Sequence, residues 1–411
     1  MRARLVISGS AFCAALAALA FAHAWWIAHA PRDPRFVRFM RRNNLRANAN
    51  EVIPERGSSL DRHGQPLALV EEGSTFQKVI DELQLTSGTP VSLTIDADLQ
   101  AKAESLMEGK HGAIVALEPT TGRIRALVSA PHAAYLNRAL DGLYPPGSTF
   151  KVFMAAAALS ADLDPVFDCP AAGWRPNRST PPIRDAEARE FLRQKKTWKG
   201  FGRIGMEEAM VHSANTYFAQ LGCALGPKRF GDAVVAARLR DPATVLPADT
   251  ILLAGAGSGV PDGLSGAALA PVAIGQGALQ LTPLAVALMT AAVADDGRIL
   301  APTLSEEAQP VQRAHPFTHA AAQRVKKMMR AAVRRGTGRA CDVPGLDVCG
   351  KTGTAQTGKG ADHAWFTGFA PEASPRLVVT VLVEGGGFGA KAAAPVAREI
   401  LLEAQRLGYF K

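Results

Sequence analysis

The chain has 411 residues, of which 47% are apolar and 20% charged, and its formal net charge is +9. This length and apolar content can bury a large hydrophobic core, and they exclude an intrinsically disordered protein. Since no clustered basic patch with interleaved aromatic residues accompanies the charge, the sequence does not favour nucleic acid as a partner. The positive excess instead suits an anionic surface or polymer.

Residues 5–30 form a nearly uncharged stretch that is long enough to cross a bilayer. We predict a membrane anchor there, preceded by a tail at 1–4 and followed by a basic juxtamembrane segment at 31–50. A cleaved signal peptide is the alternative, with Ala-x-Ala at 22–24 or 28–30. The length of the apolar run and Pro31 after the second site favour an uncleaved anchor.

Residues 51–90 are too few for an independent domain, so we predict that they form a small pedestal. For residues 91–411 we predict one α+β domain. Strand patterns occupy both ends of that domain, with a helical lobe between them. The predicted strands are 92–95, 113–117, 124–128, 348–354, 364–369 and 377–383. The predicted helices include 98–107, one that begins at Ser148, and 394–407. Strands from both ends that flank helices imply one antiparallel sheet assembled from distant segments.

The five cysteines lack metal-ligand spacing, so the sequence predicts no metal site, and we predict no cofactor. If the domain lies outside the cytoplasm, Cys341 and Cys349 could form a disulfide, and Cys169 and Cys223 could pair or stay free.

The segment YPPGSTFK, residues 144–151, places a hydroxyl and an amine three residues apart before the apolar run VFMAAAAL. That run predicts a helix buried in the domain centre, and a helix beginning at Ser148 would put Ser148 and Lys151 on one face. Serine needs a base, and lysine serves as one only when burial or a nearby positive charge keeps it neutral. Ser148 is therefore a candidate nucleophile and Lys151 its base, although a capping serine and a solvated lysine would show the same pattern.

A second motif, Ser213-Ala214-Asn215, lies between two predicted helices. A hydroxyl at Ser213 could relay a proton to a leaving group, and the Asn215 amide could hold both a lysine and a substrate carbonyl. Taken alone, an N-cap serine and a turn asparagine explain this motif better.

A third motif, Lys351-Thr352-Gly353-Thr354, lies on a predicted strand. The charge of Lys351 would help to keep the first lysine neutral, and the threonine hydroxyls could bind a substrate carboxylate. Gly353 would let a peptide approach the strand edge closely. The backbone amides of Ser148 and Thr354 are candidates for an oxyanion hole.

Three such motifs in this order form a specific pattern. The chain resembles the class B penicillin-binding proteins, which are membrane-anchored D,D-transpeptidases, from about residue 56 to its end. Further segments that carry the resemblance are Asn137-Arg138-Ala139, Ala273-Ile-Gly-Gln-Gly277, Thr282-Pro283, Gly336-Thr337-Gly338, CGKTGTAQ at 349–356 and HAWFTGFA at 363–370. It implies a penicillin-binding transpeptidase or serine β-lactamase-like fold, with a five-stranded antiparallel sheet flanked by helices.

The resemblance also implies the chemistry. A serine would attack the D-Ala-D-Ala bond of a peptidoglycan stem peptide, expel D-alanine and hold an acyl-enzyme until an acceptor amine displaces it. β-Lactams would acylate the same serine. The residues with implied catalytic roles are Ser148, Lys151, Ser213, Asn215 and Lys351. Those implied to bind substrate are Thr352, Gly353 and Thr354.

This chemistry places the substrate outside the cytoplasmic membrane. The arginines after the anchor would favour a cytoplasmic domain by a simple positive-inside count, but long domains translocate largely regardless of flanking charge. We therefore expect a single-pass inner-membrane protein with its catalytic domain on the periplasmic side. The roughly 60 residues between the predicted anchor and the domain are too few for a glycosyltransferase domain, so we do not expect a bifunctional class A protein. Gly200-Phe201-Gly202 stands where relatives often carry Gly-His-Gly.

Three alternatives remain open from the sequence. A β-lactamase or β-lactam sensor would share the serine and lysine, but no E-x-x-L-N pattern that could position a hydrolytic water is present. A D,D-carboxypeptidase would differ only in using water instead of an amine. The third alternative is a mainly non-catalytic partner that activates a SEDS-family glycosyltransferase through the anchor and pedestal.

Overall fold

The computed structural model describes residues 59–63, 91–131, 136–245, 257–358 and 360–411. The predicted tail at 1–4, anchor at 5–30 and juxtamembrane segment at 31–50 lie outside the described residues, as does most of the pedestal. No helix within the described ranges combines the length and apolar character needed to cross a membrane. The proposed domain boundaries therefore stay predictions.

The described strands fall into one large sheet and three small pairs. They are β1 (Ser59–Leu60), β2 (Val91–Ser92), β3 (Gly112–Leu117), β4 (Ile124–Ala130), β5 (Phe167–Pro170), β6 (Gly200–Ile204), β7 (Ile299–Leu300), β8 (Gln312–Ala314), β9 (Cys349–Ala355), β10 (His363–Ala370) and β11 (Leu377–Val383). The large sheet has the order β4-β3-β11-β10-β9, and every pair in it is antiparallel. This arrangement confirms the predicted five-stranded antiparallel sheet, and it makes β9 an edge strand.

Nine α-helices lie within the described ranges. They are α1 (Ala97–Leu106), α2 (Lys151–Ser160), α3 (Ala186–Arg193), α4 (Met206–His212), α5 (Asn215–Ala236), α6 (Leu269–Ala273), α7 (Pro283–Ala294), α8 (His319–Arg335) and α9 (Gly389–Arg406). Most of them belong to the stretch between β4 and β9, which is the helical lobe that the sequence predicts.

The large sheet separates two apolar layers because successive side chains of a strand point to opposite faces. Ala113, Val115 and Leu117 face one layer, together with α2, α5 and α7. Ile114 and Ala116 face the other layer, which α1 and α9 cover. Because both faces of the large sheet are buried, the sequences of its strands are nearly continuous apolar runs.

Two predicted elements have different bounds. The strand predicted at 92–95 is shorter because, after β2, Leu93 forms an isolated bridge with Ser305 instead. The final helix begins at Gly389 rather than at residue 394, so Pro395 lies inside it. Burial of Ala393, Ala394 and Val396 continues the apolar face across the proline and outweighs its cost.

The structure does not form the disulfides considered from the sequence, since all four cysteines concerned are free thiols. Cys341 and Cys349 belong to different apolar layers, so they are not positioned to pair. Cys169 is fully buried, and the Cys223 thiol donates a hydrogen bond to the Gly266 carbonyl at 3.1 Å.

Candidate active site

The first motif forms a tight turn at the start of α2. A 3₁₀ turn covers Gly147–Phe150 and α2 follows directly, so the predicted α-helix begins three residues later than expected. Side chains at i and i+3 nearly eclipse in such a turn, which keeps Ser148 and Lys151 on one side of the chain. Ser148 is half-buried, whereas all residues from Lys151 to Leu159 are buried, as predicted for a helix through the domain centre.

Glycines hold this turn against two other backbone segments. Gly147 has a φ of +54° and donates its N–H to the Gly275 carbonyl at 2.9 Å. A Cβ atom at Gly275 would lie 1.8 Å from the Gly147 oxygen, and a Cβ atom at Gly147 would lie 2.7 Å from the Thr354 oxygen. The segment at 273–277 therefore supports this turn from one side, and β9 contacts it from the other. Because the turn at 147–150 carries the candidate nucleophile, we call it the nucleophile turn.

The Lys151 ammonium group contacts the second motif directly. Its Nζ donates to the Ser213 carbonyl at 2.6 Å and to the Asn215 Oδ1 at 2.6 Å, and it lies 3.3 Å from the Ser213 Oγ. It also lies 5.6 Å from the centre of the Phe218 ring. The structure thus brings together the first two motifs, which lie more than 60 residues apart in sequence.

Burial lowers the pKa of Lys151 to about 7, and the nearby carboxylates of Asp185 and Glu187 act in the opposite direction. Of the two causes considered from the sequence, only burial lowers the pKa of Lys151, and the expected effect of the Lys351 charge on it is not found. A lysine with this pKa is neutral in a large share of molecules near neutral pH, which a general base requires.

The backbone at the second motif is held in a strained conformation. Ser213 ends α4 with a φ of +59° and a ψ of +37°, in the left-handed region that non-glycine residues rarely occupy. Such strain persists where surrounding contacts determine it. Here the bond from Lys151 to the Ser213 carbonyl is one such contact.

An acidic residue that the sequence reasoning missed secures the start of α5. Asp185 is buried, and its carboxylate accepts hydrogen bonds from the Thr216 N–H at 3.0 Å and the Thr216 hydroxyl at 2.7 Å. The Asn215 Nδ2 donates to the Arg184 carbonyl at 3.0 Å, which leaves its Oδ1 to accept from Lys151. Asp185 lies in an irregular stretch, where no local pattern distinguishes it.

The third motif lies on β9, the edge strand, as predicted. Lys351 is fully buried, and its Nζ donates to the Thr352 carbonyl at 3.2 Å. Burial lowers the pKa of Lys351 well below its usual range, and repulsion from Lys151 lowers it further. The two lysines are therefore close enough to interact, and carrying both charges in this buried site is unfavourable.

The rest of β9 is shaped for close approach. A Cβ atom at Gly353 would lie 3.0 Å from the Pro146 oxygen, from the Thr149 side chain and from the Cβ of Trp365. The Thr354 hydroxyl is 3.4 Å from the Gly389 N–H at the start of α9. The nucleophile turn, β9 and α9 therefore meet around Gly353 and Thr354.

A polar network fixes the chain just before the nucleophile turn. Glu384, which follows β11, accepts hydrogen bonds from the Tyr144 hydroxyl at 2.6 Å and from the Arg138 Nε at 2.7 Å. The indole N–H of Trp365 donates to the Pro145 carbonyl at 3.1 Å. Sequence reasoning missed Glu384, although Arg138 and Trp365 lie in segments that carry the resemblance.

The site therefore combines a half-buried serine, a buried lysine bonded to Ser213 and Asn215, and a second buried lysine on an edge strand. No group of three or more potential metal-ligating side chains occurs among the residues described. A serine and a lysine of low pKa beside a strand edge suit acyl transfer from a peptide.

Comparisons with known proteins agree with this fold. The family model for the penicillin-binding protein transpeptidase domain matches residues 112–402. The peptidoglycan D,D-transpeptidase PbpA of Mycolicibacterium smegmatis is 31% identical over 380 residues, which cover 78% of this chain and 73% of that protein. The peptidoglycan D,D-transpeptidase MrdA of Acinetobacter baumannii is 29% identical over 397 residues, which cover 80% of this chain and 56% of that protein.

Solved structures give the same result. The D,D-transpeptidase domain of a peptidoglycan glycosyltransferase from Eggerthella lenta has a TM-score of 0.75 and 26% identity, and the match covers 86% of this chain and 99% of that one. The penicillin G acyl-enzyme complex of penicillin-binding protein A from Mycobacterium tuberculosis has a TM-score of 0.73 and 26% identity, covering 85% and 99%.

Fold and site together define a serine acyltransferase of the penicillin-recognising type. The chain belongs to the class B penicillin-binding proteins and is a serine-type D,D-transpeptidase.

Proposed function

We propose that this chain cross-links peptidoglycan stem peptides through an acyl-enzyme on Ser148, and that β-lactams acylate the same residue. The hydroxyl of Ser148 attacks the carbonyl carbon of the D-Ala-D-Ala bond while Lys151 accepts its proton. The C–N bond then breaks, the leaving D-alanine amine takes up a proton, and the acyl group stays on Ser148. An acceptor amine then attacks the acyl carbon, the ester bond to Ser148 breaks, and the serine oxygen takes up a proton. The products are the new amide and the free Ser148 hydroxyl.

The observation that carries this proposal is the environment of Lys151. Its Nζ is fully buried and bonded at 2.6 Å to both the Ser213 carbonyl and the Asn215 Oδ1. Burial favours the neutral amine, while these acceptors stabilise the charged form that exists after proton transfer. We assign Ser213, whose Oγ is 3.3 Å away, to carry the proton on to the leaving amine.

The third motif is assigned to the donor peptide. An extended peptide can lie along β9, which is an edge strand of the sheet. Lys351, Thr352 and Thr354 supply hydrogen-bond donors for its terminal carboxylate. The backbone amides of Ser148 and Thr354 are assigned to the oxyanion hole, which the contact between Gly147 and the Thr354 carbonyl supports.

We further propose that residues 5–30 anchor the protein in the cytoplasmic membrane as a single span, with the catalytic domain on the periplasmic side. The uncharged length of that segment and the location of stem peptides support this topology. A periplasm-dependent reporter fused after residue 411 should be active in cells, and a reporter active only in the cytoplasm would contradict the topology.

A SEDS-family glycosyltransferase is proposed as the membrane partner of the anchor and pedestal. Co-purification with and without residues 1–60 tests this partner.

The deciding experiment is covalent labelling of the purified protein with a fluorescent penicillin. The wild-type chain should carry a stable adduct, and mass spectrometry of its proteolytic peptides should place that adduct on Ser148. Ser148→Ala should lose the label, whereas Ser105→Ala, on the surface of α1 and bonded locally to the Lys102 carbonyl, should retain it. Persistent labelling of Ser148→Ala would remove that residue from the nucleophile's role.

Adduct lifetime and acceptor use separate the related activities. A transpeptidase should retain the penicilloyl group far longer than a β-lactamase needs for one turnover. Rapid loss of the label would instead indicate a β-lactamase. With a stem pentapeptide donor, release of D-alanine should be matched by amide formation to an added amine acceptor. Release without amide formation would indicate a carboxypeptidase.

A further inference from the structure

The segment Gly336-Thr337-Gly338 carries part of the family resemblance, yet none of the roles assigned above uses it. It follows α8 and lies directly against the end of α4, since the Thr337 N–H donates to the Val211 carbonyl at 3.2 Å. A Cβ atom at Gly336 would lie 2.3 Å from that same carbonyl oxygen. Thr337 is thus fixed to the helix that ends at Ser213.

The Thr337 side chain contacts the third motif. The Thr352 hydroxyl on β9 donates to the Thr337 Oγ1 at 2.8 Å. Thr337 is half-buried, whereas Thr352 is 7% exposed. Thr337 therefore bonds the helix before the second motif through its backbone and the third motif through its side chain, and it is the more exposed of the two threonines.

The direction of this bond determines which proton is available to a ligand. A hydroxyl carries one proton and two acceptor lone pairs. In this arrangement Thr352 gives its proton to the Thr337 oxygen. The Thr337 hydroxyl donates to no partner among the residues that the structure describes, so its own proton is free.

We propose that Thr337 is a substrate-binding residue that donates a hydrogen bond to the terminal carboxylate of the donor peptide, or to the carboxylate of a β-lactam. Thr352 supports this role, because its hydroxyl bonds the Thr337 oxygen and leaves the Thr337 proton free for the anion. This proposal deepens the proposed function and rests on it, since it concerns the same cleft and the same donor. Hydrogen bonds between hydroxyls in a chain strengthen one another, which suits recognition of a charged group.

The test compares ligands with and without the carboxylate. Second-order rate constants for acylation are measured for a β-lactam and for its methyl ester, using wild type, Thr337→Val and Thr337→Ser. Valine keeps the shape and removes the hydroxyl, so the rate constant for the free acid should fall by about 10- to 100-fold, as expected for losing a hydrogen bond to a charged group. The rate constant for the ester should change little, and Thr337→Ser should restore most of the rate for the acid.

Two controls make the outcome specific. Thr120→Val alters an exposed threonine in the turn between β3 and β4 and should leave both rates unchanged. Thr337→Val combined with Thr352→Val should cost less than the product of the single effects, because the two hydroxyls act as one unit. An equal loss of rate for acid and ester in Thr337→Val would indicate a merely structural role and overturn the proposal.

A binding measurement keeps the proposal independent of acylation. In the Ser148→Ala background, the dissociation constant of an acyl-D-alanyl-D-alanine peptide is compared with that of its C-terminal amide, with and without Thr337→Val. The preference for the free carboxylate should shrink by about 10-fold or more on removal of the hydroxyl. An unchanged preference would refute the role of Thr337, whereas absence of acylation in the wild type would instead refute the proposed function.

Discussion

The low pKa of Lys151 predicts a distinctive dependence of acylation on pH. The base must be neutral to accept the proton of Ser148, so acylation should fall as pH drops through the lysine's pKa of about 7. The sign is fixed by the charge: protonation below the pKa removes the lone pair that accepts the proton. The second-order rate constant for acylation refers to the free enzyme. Its pH profile therefore reports the pKa of Lys151 in the free enzyme.

The size of the effect separates a buried lysine from an ordinary one. An unperturbed lysine, with a pKa of about 10.4, would be neutral in roughly one molecule in 2,500 at pH 7. With a pKa of about 7, Lys151 is neutral in about half of the molecules at that pH. The profile should therefore level off above about pH 8 and fall roughly 50-fold between pH 7 and pH 5.

The assay is stopped-flow acylation by a chromogenic β-lactam over pH 5 to 10. Glu187→Gln sharpens it, because the Glu187 carboxylate raises the pKa of Lys151 and its removal should move the profile to lower pH. Asp185 acts in the same direction but also holds Thr216, so Glu187 is the cleaner substitution. Glu108→Gln, on the exposed surface, serves as the control and should leave the profile in place. A rate that keeps rising tenfold per pH unit up to pH 10 would show that burial does not lower the pKa of Lys151.

Two substitutions test the packing behind the site. Gly275→Ala would place a Cβ atom 1.8 Å from the Gly147 oxygen at a φ of +76°, so it should slow acylation strongly and cost about 1–3 kcal/mol in urea unfolding. The control is Gly231→Ala in α5, whose Cβ atom would meet nothing within 4 Å. It should leave acylation intact and raise the free energy of unfolding by up to about 1 kcal/mol. Normal acylation in Gly275→Ala would contradict the support that we assign to the segment at 273–277. Thr367→Val should break a buried chain in which Thr290, Thr367 and Thr380 hydroxyls lie 2.7 Å apart, lowering the free energy of unfolding by about 1–3 kcal/mol. A cost below about 0.5 kcal/mol would show that the remaining hydroxyls satisfy each other.

Sequence patterns predicted the elements that depend on local periodicity. The uniformly apolar run after Lys151 predicted a buried helix, and the hairpin, β10 and β11 were placed within two residues of their observed bounds. The edge position of β9 was predicted from Gly353 and from the chemistry that a peptide substrate requires. What failed was set by tertiary contacts: α9 begins before Pro395 because its first residue, Gly389, packs against the Gly353 and Trp365 carbonyls.

The residues that sequence reasoning missed share one property, which is that their partners lie far away in the chain. Asp185 acts through Thr216, Glu384 through Arg138 and Tyr144. No spacing rule relates such pairs, because a hydrogen bond across the fold leaves no period in the sequence. The motif residues could be predicted because each combines a reactive group with a local signal, such as a helix start or a glycine on a strand. Supporting residues hold the site in place without such a signal, so a single sequence offers candidates for the nucleophile and its base but not for the groups that position them.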